Sequence, residues 1–426
     1  MQLDTGFAAG GDDQAFDSIT GIPHIRPLNL TSDEELTIED TKYIPIDRPK
    51  PIDYIQKGEV LFNNTNSSIW VGKSVVFNED YLACCSNHMT RLTINLEKAV
   101  PQYIADIFNL LRRKRLFEFY CVNFNNQAGV NTEMLGDLLI PLPPPDIQRA
   151  LVADLDQARA TRKSKLVEAD ELLKGMDEVV MRELGLQPSA KSEPPLAFAV
   201  RLADALRRFD AHYHEPEYVR FQNSLKSLPF SLESLSQLSD NTIFSGTTPL
   251  SGGDDYTDEI NGIPFVQSGD IENLEDDYRP TTFLQYDVHY KKMKTSQLQR
   301  NDLLIAIVGA TIGKIGVYRS DKPANINQAI AGIRLNKDRI NVDYVEAIMK
   351  STVGQKQLDR IKRPVARANI NLEEIGSLMI PIPPLDIQER IIAELHRRRD
   401  LARQLRQEAN SLWREAQARF EQALIG

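Results

Sequence analysis

Residues 309–314 read GATIGK, which of all stretches in this 426-residue sequence comes nearest to a phosphate-binding loop. A nucleoside-triphosphate loop needs four residues between its glycines and a Ser or Thr after the lysine to hold magnesium. Here three residues separate the glycines and Ile315 follows the lysine. The related stretch SSIWVGKS at 67–74 has no leading glycine, so nucleotide chemistry is disfavoured at both places. What survives is a pair of lysines, Lys73 and Lys314, each following a glycine between two strand-like runs. Such a turn can offer a cation and backbone N–H groups to a phosphate, and a plain hairpin turn with a solvated lysine accounts for the same residues. Asn87-His88 and Asn327-Gln328 hold matching places further along. Amide side chains there can read adenine bidentately in a major groove, or satisfy neighbouring backbone groups.

Cations also cluster. Arg112, Arg113, Lys114 and Arg115 close an expected helix, where positive charge suits the dipole without any ligand. Lys291, Lys292 and Lys294 form a second cluster, and Arg360, Lys362, Arg363 and Arg367 a third, in a proline-containing loop better suited to phosphate contact. Parts for catalysis are missing by comparison. The sequence has no G-x-G-x-x-G loop, and its proline pairs, EPPL, LPPP and IPPL, do not match the Asn-Pro-Pro-aromatic box of amino-methyltransferases. Its histidines lack zinc-binding spacing, and His212 and His214 read as surface residues; Cys84, Cys85 and Cys121 read as structural thiols.

The elements that must position these residues occur twice. Residues 136–148 read GDLLIPLPPPDIQ and 376–388 read GSLMIPIPPLDIQ, identical at nine of thirteen positions with an offset of 240. Each copy reads as a buried strand, then prolines that end it, then an aspartate (Asp146, Asp386) placed to cap a helix. After each cap, apolar residues step by alternating threes and fours, the spacing of a coiled-coil seam: Leu151, Leu155, Ala158, Ala169, Leu172, Met176 and Val179 in one, Ile391, Leu395, Ala402, Leu405, Ala409, Leu412 and Ala416 in the other. Polar members, Arg162, Lys165 and Arg398, interrupt both stripes. Two stripes of matched length and register most simply bury each other, and Trp413 and Phe420 add a flank on which a further partner could dock.

The strand-like runs repeat too. GEVLFNN at 58–64 and VGKSVVF at 71–77 match NDLLIAI at 301–307 and IGKIGVY at 312–318, and GGDD at 10–13 recurs at 252–255. GLQPSAKSEPPLAFAV at 185–200 reads as a linker. Residues 201–240 have no counterpart, because Met1 aligns near Asn241; either the first lobe is short at its start or the true start lies upstream. We divide the chain into a first lobe at 1–143, a helix at 144–184, the linker at 185–200, a second lobe at 201–383 and a helix at 384–426. A length beyond one ordinary core, 42% hydrophobic and 26% charged residues, and no membrane-length apolar run indicate a soluble cytoplasmic protein. A net charge of −10 speaks against coating nucleic acid by bulk charge and leaves local basic grooves open.

The order lobe–helix–lobe–helix, with IPLPPPDIQ and IPIPPLDIQ closing the lobes, resembles the DNA-specificity (S) subunit family of type I restriction-modification systems over nearly the whole chain. The resemblance implies an α+β fold with two similar target-recognition lobes separated by two long antiparallel helices, a pseudo-two-fold duplication. It implies a non-catalytic subunit that reads a bipartite double-stranded DNA target and docks two methyltransferase subunits on its helices, and it leaves open whether restriction subunits join. It places no cofactor on this chain: S-adenosylmethionine, ATP and magnesium are expected on partner subunits. Each helix, at roughly 38 residues and about 1.5 Å per residue, would make a rod of about 57 Å able to set the half-site spacing. An adaptor of the same architecture that binds protein or RNA is the competing reading, supported by the acidic charge.

Overall fold

The computed structural model describes all residues except 1, 12–13, 16–17, 125–126, 188–196, 207, 251–252, 275–279, 364–367 and 426. Most of the expected linker, parts of both GGDD stretches and Arg367 therefore lie outside the described residues. The chain divides into two compact units, residues 1–167 with 405–426, and residues 168–404. Each unit joins one lobe to segments of both long helices.

The two lobes share one topology of mixed helix and sheet. In the first unit a four-stranded antiparallel sheet runs in the order Gln2–Thr5, Met89–Thr93, Val60–Asn63, Ser74–Val76. In the second the order is Ser239–Ser245, Ile330–Leu335, Leu303–Ala306, Ile315–Val317. A second sheet in each lobe contains a parallel pair: His24 and Ile25 sit beside Cys84 and Cys85, and Phe265 and Val266 beside Asn325 and Ile326. Val60–Asn63 and Leu303–Ala306 are buried at every position, as central strands with both faces covered must be. Proline opens the helix Pro101–Arg113, where its missing N–H costs nothing.

Each core sits between its main sheet and its helices. In the first unit Phe62 meets Phe108 and Phe117 edge-on at 5.2 and 5.4 Å, and Leu155, Ala416 and Phe420 from the long helices join the same cluster. In the second, Leu303, Ile333 and Tyr344 pack with Val179, Val180, Ile391 and Leu395. The helical stripes thus bury against their own lobes as well as against each other. Pairing between the helices is antiparallel within each unit: Lys165 reaches Glu408 at 2.8 Å and Arg419 reaches Asp154 at 2.9 Å in the first, and Arg390 reaches Glu183 at 3.4 Å in the second.

Several expectations are corrected. The first long helix is not continuous: Pro145–Lys174 stops and Met176–Glu183 resumes, with Gly175 between them close to the Arg398 guanidinium. The second runs unbroken over Leu385–Ile425, yet Leu412 is exposed, because Trp413 turns inward in its place. Asp146 and Asp386 are not caps. Helix begins one residue before each, so they lie in the first turn, where their charge suits the dipole. The last residue of each motif does the tying instead: the Gln148 amide donates to Pro143 and Lys98 carbonyls and accepts from Val100 N–H, and Gln388 donates to Pro383. The strand expected in the first motif does not form. Its counterpart Met379–Ile382 does, paired with Ser231–Ser234. His214, expected at the surface, is buried and bonds the Arg208 carbonyl at 2.7 Å.

Candidate nucleic-acid interface

The two glycine–lysine turns have the same backbone. Gly72 and Gly313 take φ of 92° and 94°, a left-handed conformation that a side chain would strain. Lys73 N–H then donates to Trp70 O at 3.3 Å and Lys314 N–H to Thr311 O at 3.1 Å. The side chains differ. Lys73 is 7% exposed, donates from Nζ to Leu30 O at 2.7 Å and lies 4.4 Å from the Trp70 ring centre. Burial, reinforced by the nearby Arg112 charge, pulls its ammonium down to about 8. The solvated phosphate contact expected of Lys73 is therefore replaced by an internal one. Lys314 stays accessible but pairs with Glu272 at 2.7 Å.

Asn87-His88 and Asn327-Gln328 follow the short parallel strand of each lobe, but the strands Cys84–Cys85 and Asn325–Ile326 correspond with an offset of 241 instead of 240, so that Asn87 takes the place of Gln328. A glycine packs against the turn in both: a Cβ at Gly6 would strike Cys85 O, and one at Gly246 would strike Ile326 O. Asn87 and Gln328 are exposed at the tips. Asn327 is not free for a bidentate adenine contact, since its side-chain Oδ1 accepts from Ala329 N–H at 3.0 Å. Gln328 accepts from the Thr248 hydroxyl; the Asn87 backbone carbonyl accepts from the Asn64 side-chain amide at 3.2 Å, while among the described residues no hydrogen bond engages the side chains of Asn87 and His88. Asn87 also lines a groove of about 420 Å³, where the amides and hydroxyls of Asn64, Thr65, Asn131 and Thr132 mix with apolar Val122, Val130 and Met134.

The cationic clusters are held mainly by the protein's own carboxylates and carbonyls. Arg112 and Arg113 converge on Glu34 at 3.1 and 2.5 Å, and Lys114 meets Glu421 at 2.5 Å. Lys291 pairs with Asp287 at 2.7 Å and Lys292 with Asp255 at 2.5 Å. Arg360 stacks 4.0 Å from the Tyr213 ring and donates to its carbonyl, and Arg363 bonds Glu374 at 2.9 Å and Asn369 O. Magnitude sorts these groups. Exposed pairs are worth ~0–1 kcal/mol and can exchange a carboxylate for a phosphate, which suits Lys292 and Arg363; Arg360, half buried on an aromatic face, cannot.

Trp413 and Phe420 face inward. Phe420 is buried with its ring 5.9 Å from Tyr103, and Trp413 packs on the same core with Arg159 5.3 Å from its ring. Phe420 is enclosed, whereas Trp413 is only partly buried. On the long helices, among the described residues, the exposed large apolar side chains are Ile147, Val167, Leu385 and Leu412.

Two further features lie outside the residues that sequence patterns single out. Tyr286 and Tyr290 stack at 6.4 Å and are about half exposed beside Lys291; their four-residue spacing was the available signal. A cleft of about 550 Å³ in the second unit gathers Arg300, Arg319, Lys350, His396, Arg399 and Arg403 with Glu272, Asp343, Glu346 and Asp400. Its members come from distant segments, so no local pattern announced it. Among the described residues no cluster of His, Cys, Asp or Glu could hold a metal, and no helix is long and apolar enough to cross a membrane.

Comparison with known proteins agrees with this geometry. Residues 230–411 match the model of the type I restriction modification DNA specificity domain. The type I restriction enzyme EcoBI specificity subunit of Escherichia coli is 27% identical over 273 residues, 62% of this chain; the match spans about half of that protein, 52%. The putative type I restriction enzyme MjaX specificity subunit of Methanocaldococcus jannaschii is 22% identical across 83% of this chain and 75% of its own length. A solved chain from work on complex assembly and conformational transition of the type I R-M system superposes with a TM-score of 0.58 at 18% identity, covering 95% of this chain and 91% of that one, and shows the shared fold.

Proposed function

Because this chain belongs to the type I restriction-modification specificity-subunit family, we propose that it is a non-catalytic DNA reader. It recognises a bipartite double-stranded target, one half-site per lobe, and presents that target to methyltransferase subunits in the cytoplasm. The single observation that carries this reading is the recurrence, in both lobes, of one glycine-packed turn with an exposed amide at its tip, Asn87 in the first and Gln328 in the second. A bidentate amide–adenine contact is worth about 1–3 kcal/mol of discrimination, which makes these tips candidate base readers. Lys314, Lys292 and Arg363 are candidate phosphate contacts; His88 and Asn327 support the tips. Partner subunits dock on the long helices through the exposed Ile147, Val167, Leu385 and Leu412, and they carry S-adenosylmethionine, ATP and magnesium.

A mobility-shift series on the purified chain, with and without a methyltransferase subunit, tests the reading. Sequence-selective retardation of duplex DNA is expected, sharpened by the subunit. Equal affinity for all duplexes under both conditions, or preference for RNA, would favour the adaptor alternative.

A further inference from the structure

One arginine recurs on the two long helices, Arg159 and Arg399, at matching places after Asp146 and Asp386. Its surroundings differ. In the first unit Arg159 is neutralised twice, by Asp106, which is 1% exposed on the helix Pro101–Arg113, and by Asp156 at 2.6 Å. The second unit keeps the arginine and loses both acids. Tyr344 repeats Tyr103, each hydroxyl donating to the proline carbonyl of its closing motif, at 2.7 and 2.9 Å; Ala347 therefore stands where Asp106 stands, and His396 where Asp156 stands. Among the described residues no hydrogen bond or ion pair engages Arg399.

Arg399 lines two adjoining clefts of the second unit, of about 550 and 630 Å³, which share it with Glu272 and Lys350. The acids there are already engaged. Glu346 pairs with Lys350 at 2.7 Å, Asp343 with Arg319, Glu272 with Lys314 at 2.7 Å and Asp177 with the Thr352 hydroxyl at 2.6 Å, and Asp400 lies 3.8 Å from Arg403. The larger cleft has an apolar floor of Leu173, Met176, Val180 and Leu395, with Ala347 beside them; the smaller adds Arg319, His396 and Arg403. A half-buried guanidinium without a carboxylate thus joins an apolar pocket to a cationic one.

We propose that this double cleft docks an extended acidic segment of a partner polypeptide, with one apolar side chain on the floor of Leu173, Met176 and Val180 and a carboxylate on Arg399. Spacing along the helix fixes the pattern. Leu395, Arg399 and Arg403 follow one another in four-residue steps, about 6 Å apart at 1.5 Å per residue, and alternate side chains of an extended chain repeat at about 6.6 Å. The segment therefore reads apolar-x-acid-x-acid, with its acids on Arg399 and Arg403. Charge-assisted, bidentate contacts make arginine clusters readers of acidic motifs. The apolar floor selects a peptide over a nucleic-acid backbone, which carries a phosphate at every step and no apolar side chain.

The test titrates the full chain into a labelled, end-blocked pentapeptide, Leu-Ser-Glu-Ser-Glu, and follows fluorescence anisotropy. Binding is expected, and it weakens about tenfold or more in Arg399→Gln, where a charge-assisted contact is lost, and in Ala347→Asp, which gives the second unit the acid that occupies Arg159 in the first. Arg399→Lys, which keeps the charge, is expected to retain part of the affinity, and the peptide with glutamine in place of glutamate is expected not to bind. No binding at millimolar peptide, equal binding of the glutamine peptide, or undiminished affinity in either Arg399→Gln or Ala347→Asp overturns the proposal. So does inorganic phosphate that displaces the peptide at equal concentration, which would make the cleft a simple anion site. If the peptide fails to bind while Arg399→Gln weakens a mobility shift of duplex DNA, the cleft belongs to nucleic acid and the proposal falls. The peptide titration holds no DNA, so its result stands apart from the DNA-reading proposal.

Discussion

Lys73 and Lys314 show how far residue type and spacing carry an argument. The sequence revealed both as glycine–lysine turns, and the left-handed glycines bear that out. It did not reveal that Trp70 and the Leu30 carbonyl would enclose one lysine and not the other, because those groups are fixed by the tertiary fold. Their behaviour should separate accordingly. Lys314→Gln is expected to weaken binding to all duplexes alike and to lower the salt slope by about one unit, since one phosphate contact is lost; a loss confined to one base position would argue for direct readout. Lys73→Met is expected to leave affinity and salt slope unchanged and to alter stability. In the folded chain this ammonium titrates at about 8, below its ordinary 10.5. Between those values the unfolded chain holds the extra proton, so stability rises with pH across that window and Lys73 contributes to the rise. Thermal melts at pH 7 to 10 should show a smaller rise in the variant.

At the scale of elements, repeated proline motifs and helical stripes were legible because periodicity and chain-breaking residues are local properties. What each element rests on was less so. The apolar run at 138–142 reads as a strand from composition alone, but a strand needs a neighbour, and where Met379–Ile382 has Ser231–Ser234 the described residues give 138–142 none. Trp413 and Phe420 likewise read as a spare flank, since nothing in the helix sequence says that Tyr103 stands opposite. Phe420→Ala is therefore expected to destabilise the first unit by about 3–5 kcal/mol, as large-to-small changes in cores do, measured by denaturant unfolding; unchanged stability with lost methyltransferase binding would restore a docking role. If the paired helices set the half-site gap, one heptad inserted after Ala169 and another after Ala409 lengthens them by about 10 Å. The preferred spacer should then grow by up to about three base pairs at ~3.4 Å each, read by binding selection on duplexes of graded spacer. An unchanged spacer at full affinity would show that the helices are not the ruler.

For the whole molecule, duplication is the property that sequence conveyed best, and the two sheets of matching strand order confirm it. The surface charge pattern was the least legible, because which carboxylate neutralises which cation depends on packing between segments far apart in sequence. Arg112, Arg113 and Glu34 are an example. The central claim is that each lobe reads its own half of one DNA target. Exchanging residues 201–383 for the corresponding lobe of a relative, expressing the chimera with its methyltransferase partner and mapping methylated positions across a genome measures that claim directly. The account predicts that one half of the methylated motif changes while the other half stays as it was; a change in both halves together, or in neither, would contradict it.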